Sequence, residues 1–135
     1  MTAGYSGTPL AKKLSLKDGM RVWFLDMPDS VRSEIEGSDL TLSEDEVPAP
    51  GLHAAHIFVT DRDTMKQHLA TLREMIDPAG QVWVSWPKKA SKVDTDITED
   101  TIREVALPMG LVDIKVCAVD AVWSGLKLVI RKELR

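Results

Sequence analysis

The run VSWPKKAS, residues 84 to 91, places a hydroxyl, an indole and two ammonium groups side by side as Ser85, Trp86, Lys88 and Lys89. A ring that stacks, cations that attract an anion and a hydroxyl that hydrogen-bonds are the equipment of a site for a small anionic or nucleotide-like ligand. Asp26, at the end of the apolar run MRVWFLD, joins them if the fold brings the two runs together. The plain alternative uses the same residues differently. Trp86 then covers the core, and Lys88, Lys89 and Lys92 are solvated on a loop, paired with acids such as Asp26, Asp29 and Asp61.

A second place is GYSGTPLAKK, residues 4 to 13. Thr8 reads as an N-cap with Pro9 at the first helical position, and helix N-termini attract anions through free amides. Gly4 and Gly7 would let a phosphate approach the backbone, so Gly4, Gly7 and Thr8 form a possible anion site; a flexible lead-in to a helix fits equally. Catalytic constellations are not legible. Ser85 has no histidine near it in sequence, so a triad arises only if distant residues meet. His53 and His56 straddle a loop and a strand start, where residues three apart face opposite ways, and no metal site is read from them. His68 falls beside an apolar helical stripe and reads as solvent-facing. Cys117, the single cysteine, allows no internal disulfide and no thiolate cluster, and in a strand-like run it reads as a buried, inert thiol.

The elements that must position these residues follow from periodicity. The runs MRVWFLD, AAHIFVT and QVWVSW are apolar on both faces, as strands covered by helices on both sides are. Leu10 and Leu14 anchor a short first helix. Met65, Leu69, Leu72 and Ile76 share one face of a second, with Thr64 and Gln67 as its expected capping box. Ile102, Val105, Ala106 and Met109 share a face of a third, capped by Asp96 with Glu99 and left through Gly110. VDIKVCAV and GLKLVIRK, joined by DAVWS, are too close for a parallel crossover and so form an antiparallel hairpin. Residues 27 to 52, with their acids between Glu34 and Glu46, show no clear period and read as an irregular acidic loop. A short strand near LTL is the only element suggested there. Residues 1 to 7 are expected to be flexible.

The chain of 135 residues, 44% hydrophobic and 28% charged, has the size and balance of one α/β domain, residues 1 to 135. Strands alternating with helices imply a three-layer, Rossmann-like, mostly parallel sheet with an antiparallel C-terminal hairpin. A net charge of -4 argues against nucleic acid as a partner, which needs clustered cations. The sequence has neither a membrane span nor the apolar core of a signal peptide, so a cytoplasmic location is expected.

This order of elements resembles the second half of the class I S-adenosylmethionine-dependent methyltransferase fold, over about residues 19 to 132. The resemblance implies an acid and a glycine-rich turn after the first strand, and a ribose-holding acid after the second. Asp26 matches the first acid, but Met27, Pro28, Asp29 and Ser30 stand where glycines are expected, and the second acid has no clear strand to follow. Side chains block close backbone approach and proline removes a donor, so S-adenosylmethionine is expected to be an unlikely cofactor. No phosphate-loop motif is present. GYSGTPLAKKL, FVTDR, VWVSWPKKAS, TEDTIREVALPMGLVDIKVCAVD and WSGLKLVIRKELR together resemble a family of small uncharacterised bacterial proteins, a domain of unknown function. That resemblance implies a stand-alone bacterial domain and no activity.

The expected function is therefore a ligand-binding or protein-interaction module with a degenerate methyltransferase-like fold. The alternative is an enzyme acting on a small anionic or nucleotide-like substrate at the carboxyl ends of the parallel strands. For the interaction reading, Trp123 in the closing hairpin is the candidate interface anchor, and pairing of that hairpin or of the sheet edge would give a homodimer. The acidic stretch from Glu34 to Glu46 fits either a basic partner or a solvated loop.

Overall fold

Three buried strands form the centre of the molecule: β1 (Arg21–Leu25), β3 (Leu52–Phe58) and β4 (Ile76–Pro87). The computed structural model describes residues 8 to 135, so the flexibility expected of residues 1 to 7 and the anion-binding role expected of Gly4 and Gly7 lie outside it. A two-residue strand β2 (Ser43–Glu44) flanks β1, and β5 (Leu111–Ala118) and β6 (Trp123–Ile130) close the chain. The sheet order is β2-β1-β3-β4-β6-β5. The first four strands are parallel, and β6 runs antiparallel to both β4 and β5. The hairpin is as expected, with the last strand inserted inside the sheet and β5 left at its edge.

Strand alternation divides the core in two. Trp23, Ala55, Ile57, Val82, Val84 and Trp86 point to one face, beneath α3 (Arg62–Met75) and α4 (Glu99–Ala106). Val22, Ala54, Phe58 and Trp83 point to the other, beneath α1 (Leu10–Lys13) and α2 (Asp29–Glu36). The apolar stripes bury as expected: Met65, Leu69 and Leu72 from α3, with Ile76 buried as the first residue of β4, and Ile102, Val105 and Ala106 from α4. Gly110 makes the left-handed exit at φ 86°.

The caps differ from expectation. Asp61, not Thr64, caps α3, accepting from the Thr64 amide at 2.8 Å, because the helix begins at Arg62. Thr98, not Asp96, caps α4, in a reciprocal box with Thr101. Asp96 instead accepts from the Arg62 amide at 2.8 Å and ties the two helix starts together. Thr8 does not cap α1, whose N-cap is Pro9 with no side-chain bond.

The larger correction concerns residues 27 to 52, which are not an irregular loop throughout. Val31 and Ile35, four apart and buried, are enough apolar surface to seat α2 on the sheet. Arg32 on α2 then grips Glu44 of β2 with two bonds of 2.6 and 2.9 Å. From β2 the chain must return past β1 to start β3, and residues 45 to 51 do so without a helix. This strap is held by the face of β1 it crosses. Arg21 binds the Asp45 carboxylate at 2.7 Å and the Pro50 carbonyl at 3.0 Å, and the Trp23 indole donates to the Glu46 carbonyl at 3.2 Å. The acids between Glu34 and Glu46 thus include two that are spent on tying the strap and β2 to their neighbours.

Candidate functional site

Beyond β1 the sheet grows first to β2 on one side, and then the chain crosses back to β3 on the other. The carboxyl ends of β1 and β3 therefore flank a topological switch point, where open α/β sheets leave a crevice for ligands. Asp26 ends β1 there, exposed and at φ 53°, the left-handed conformation that glycine usually supplies and that aspartate tolerates. Pro28 follows as N-cap of α2 with no side-chain cap, so the first amides of the helix, at Asp29 and Ser30, keep their donors free of intrahelical partners.

A second strand, β2, is present, and two acids, Asp45 and Glu46, follow it. Following β2, Asp45 is committed to Arg21, whereas the Glu46 carboxylate makes no ion pair among the described residues. Its backbone is nevertheless fixed, by the Trp23 indole. Beside it Val47 is 68% exposed, an apolar surface at the rim.

The run VSWPKKAS is split by the pleat. Trp86 packs into the core beneath α3 and α4 and borders a cavity of about 660 Å³ that Lys89, Lys92, Ile97 and Arg103 also line. Arg103 has little left for a ligand, since it bonds Glu99, Asp100 and Asp113 at 2.9 to 3.0 Å. Lys88 turns away and donates to the Asp120 carbonyl at 2.8 Å. Lys88, Lys89 and Lys92 make no ion pair with Asp26, Asp29 or Asp61 among the described residues, and Asp61 is occupied as the cap of α3. Of the five residues singled out, the fold brings Trp86 and Lys89 to one cavity and leaves Asp26, Ser85 and Lys88 outside it. Trp123 is half-buried rather than exposed at a tip, edge-on to Phe58 with ring centroids 5.2 Å apart. The hairpin turn is held instead by Asp120, whose carboxylate accepts from the amides of Val122 and Trp123.

Ser85 does meet a histidine. His56 on β3 lies 2.6 Å from the Ser85 hydroxyl on β4, a pair 29 positions apart that sequence proximity cannot find. The only signal was that both fall on the α1/α2 face of adjacent strands. His56 is 2% exposed and Ser85 not at all, and neither lines a cavity described here. His56 stacks on Phe58 at 4.3 Å, and burial lowers its pKa from 6.5 to about 3, so the ring is neutral at pH 7. This is a buried polar pair, satisfied internally, without the access a nucleophile needs. Cys117 is half-buried at the edge strand, and burial raises its thiol pKa, which keeps it protonated and unreactive.

No family model and no curated protein matches the chain. Solved structures do match its fold. A methyltransferase from Aquifex aeolicus, described as SAM dependent, aligns with a TM-score of 0.57 at 13% identity, covering 90% of this chain and 88% of that one. Magnesium protoporphyrin IX methyltransferase (ChlM) from Synechocystis PCC 6803, with bound SAM, aligns at 0.56 and 11%, covering 90% and 74%. A LepI variant in complex with SAH and a substrate analogue aligns at 0.55 and 10%, covering 90% of this chain and 39% of LepI, so the chain spans about two fifths of that protein. The fold is thus a mostly parallel, Rossmann-like α/β sheet with an antiparallel C-terminal pair, of truncated methyltransferase type. The expectation that S-adenosylmethionine is an unlikely ligand is overturned by these neighbours, one described as SAM dependent and two solved with SAM or SAH on this architecture.

Proposed function

We propose that this chain is a binding module for S-adenosylmethionine or its demethylated product, at the switch point between β1 and β3. Two observations support the reading: the α2 N-terminus that follows β1 has no side-chain cap, and the Glu46 carboxylate that follows β2 makes no ion pair among the described residues. The donor set suits the ligand's chemistry. A carboxylate at the end of β2 accepts from a ribose diol, helix N-terminal amides hold a carboxylate, and Asp26 supplies negative charge for an ammonium or sulfonium. When bound, S-adenosylmethionine supplies an electrophilic methyl group on sulfur. The residues named here bind and orient it, and the reading extends to binding, not to a transfer reaction.

The test is isothermal titration of the purified chain with S-adenosylmethionine and S-adenosylhomocysteine, beside Glu46→Gln. Saturable binding that weakens about tenfold in Glu46→Gln, the loss of ~1.4 kcal/mol expected for one charge-assisted bond, supports the reading. Absence of binding at millimolar ligand, or equal affinity in the variant, refutes it.

A further inference from the structure

A cavity of about 1150 Å³, larger than the one beside Trp86, lies at the other end of the sheet between α1, the last turn of α2 and the amino-terminal half of β4. Its position follows from the fold. Met20 precedes β1, Gly37 and Ser38 end α2, and Ala79 and Gln81 begin the regular part of β4. Because α1 is only four residues long, it roofs this face near Leu14 and no further. The floor carries Leu10, Leu16, Met20 and Leu40, an apolar surface that is buried or half-buried.

The rim is cationic on a chain whose net charge is -4. Lys12, Lys17 and Lys127 line it, and Glu34 is the one acid on the lining, itself already engaged. Lys127 rises from β6 opposite Trp83 and donates to the Ser15 hydroxyl at 3.1 Å. Lys115, its cross-strand neighbour on β5, donates to the Lys13 carbonyl at 2.9 Å. None of Lys12, Lys17, Lys115 and Lys127 has an ion-pair partner among the described residues, so like charges gather where Lys12, Lys17 and Lys127 meet an apolar hollow. The environment is felt by Lys127, whose pKa is lowered by burial first and then by the charges of Lys115 and Lys17. Repulsion of that kind is relieved by a bound anion, and several cations around one point suit a dianion better than a single carboxylate.

We infer that this hollow binds a small phosphorylated molecule with an apolar body, its phosphate among Lys17, Lys127 and Ser15 and its body on Leu16, Met20 and Leu40. The site is separate from the switch point and does not depend on the reading proposed there.

The probe is octyl phosphate, followed by amide NMR shifts of the full chain, with octanol and inorganic phosphate as controls. The expected result is saturable shifts at Gly37, Ser38 and Lys127 with octyl phosphate, weaker ones with inorganic phosphate and none with octanol. Lys127→Met should weaken octyl phosphate binding about tenfold or more, and added salt should weaken it too. Should Lys127→Met unfold, the exposed Lys17→Met carries the same test. Unsaturable shifts, equal binding of octanol, or unchanged affinity in the folded lysine variants overturns the inference. A titration with S-adenosylhomocysteine reports at the residues after β1 and β2, so failure at either end is read independently of the other.

Discussion

Acidification should destabilise this protein mainly through one residue. His56 is sealed between Phe58, Trp83 and Ser85, and burial holds its pKa at about 3 instead of 6.5. The sign follows from linkage: the folded state binds the proton less readily than the unfolded state, so stability is whole above pH 6.5 and falls as pH drops toward the folded value. Each pH unit in that window costs ~1.4 kcal/mol, so the loss between pH 7 and pH 5 is about 2 kcal/mol, a large share of a small domain's stability. Asp61, whose pKa is lowered mainly by the Thr64 amide, acts in the same direction, but only once pH falls through the carboxylate range below this window. Urea denaturation at half-unit steps from pH 7.5 to 5 would measure the slope. The double variant His56→Leu with Ser85→Ala removes both polar partners and should flatten it. A wild-type stability constant between pH 6.5 and 5, or a double variant with an undiminished slope, would show that His56 is not buried neutral and that the core has been misread.

Two further outcomes test how the sheet is covered. Arg21→Ala removes two of the three side-chain ties from β1 to the strap, and should cost about 1 kcal/mol while making residues 45 to 51 a preferred site of proteolytic cleavage; an unchanged cleavage pattern would mean that the Trp23 tie suffices to hold the strap. Gly80→Ala places a methyl about 3.0 Å from the carbonyl oxygens of Asp77 and Leu52, where only backbone can yield. A loss of about 1–3 kcal/mol in chemical denaturation is expected, and none would show that the bulge in β4 is soft.

The elements that sequence made legible are those whose burial is written in runs or stripes. RVWFL, LHAAHIF and the apolar half of β4 lie under helices on both faces, so nearly every position is hydrophobic and the strands declare themselves. α3 and α4 repeat their apolar residues over two or more turns. α2 contributes only Val31 and Ile35 to the core, too few for a period, and β2 is two exposed residues whose place is set by ladder bonds and by Arg32. Such elements are specified by what they lie against. The caps failed for a related reason: Thr64 and Asp96 are good capping residues, and good capping residues stand on both sides of each helix start, so the choice rests on the direction of the incoming chain. The site suffered most. Ser85 and Trp86 are neighbours in sequence but face opposite layers, and Ser85 found His56 across a strand pairing that local spacing cannot express.

Both candidate sites trace to thin cover on this sheet. On the α3/α4 face, β1 is crossed by an extended strap instead of a helix, and the Trp23 indole holds that strap by the Glu46 carbonyl. On the opposite face, α1 ends after one turn and α2 after two, and between their ends the apolar amino half of the sheet stays accessible. Closing that hollow with another helical turn would bury Met20 and Leu40 but would also desolvate Lys17 and Lys127, a cost that unpaired cations make large. The lysines therefore keep the hollow open to water, and an anion that neutralises them with an apolar body to cover the floor would satisfy both halves of the surface at once.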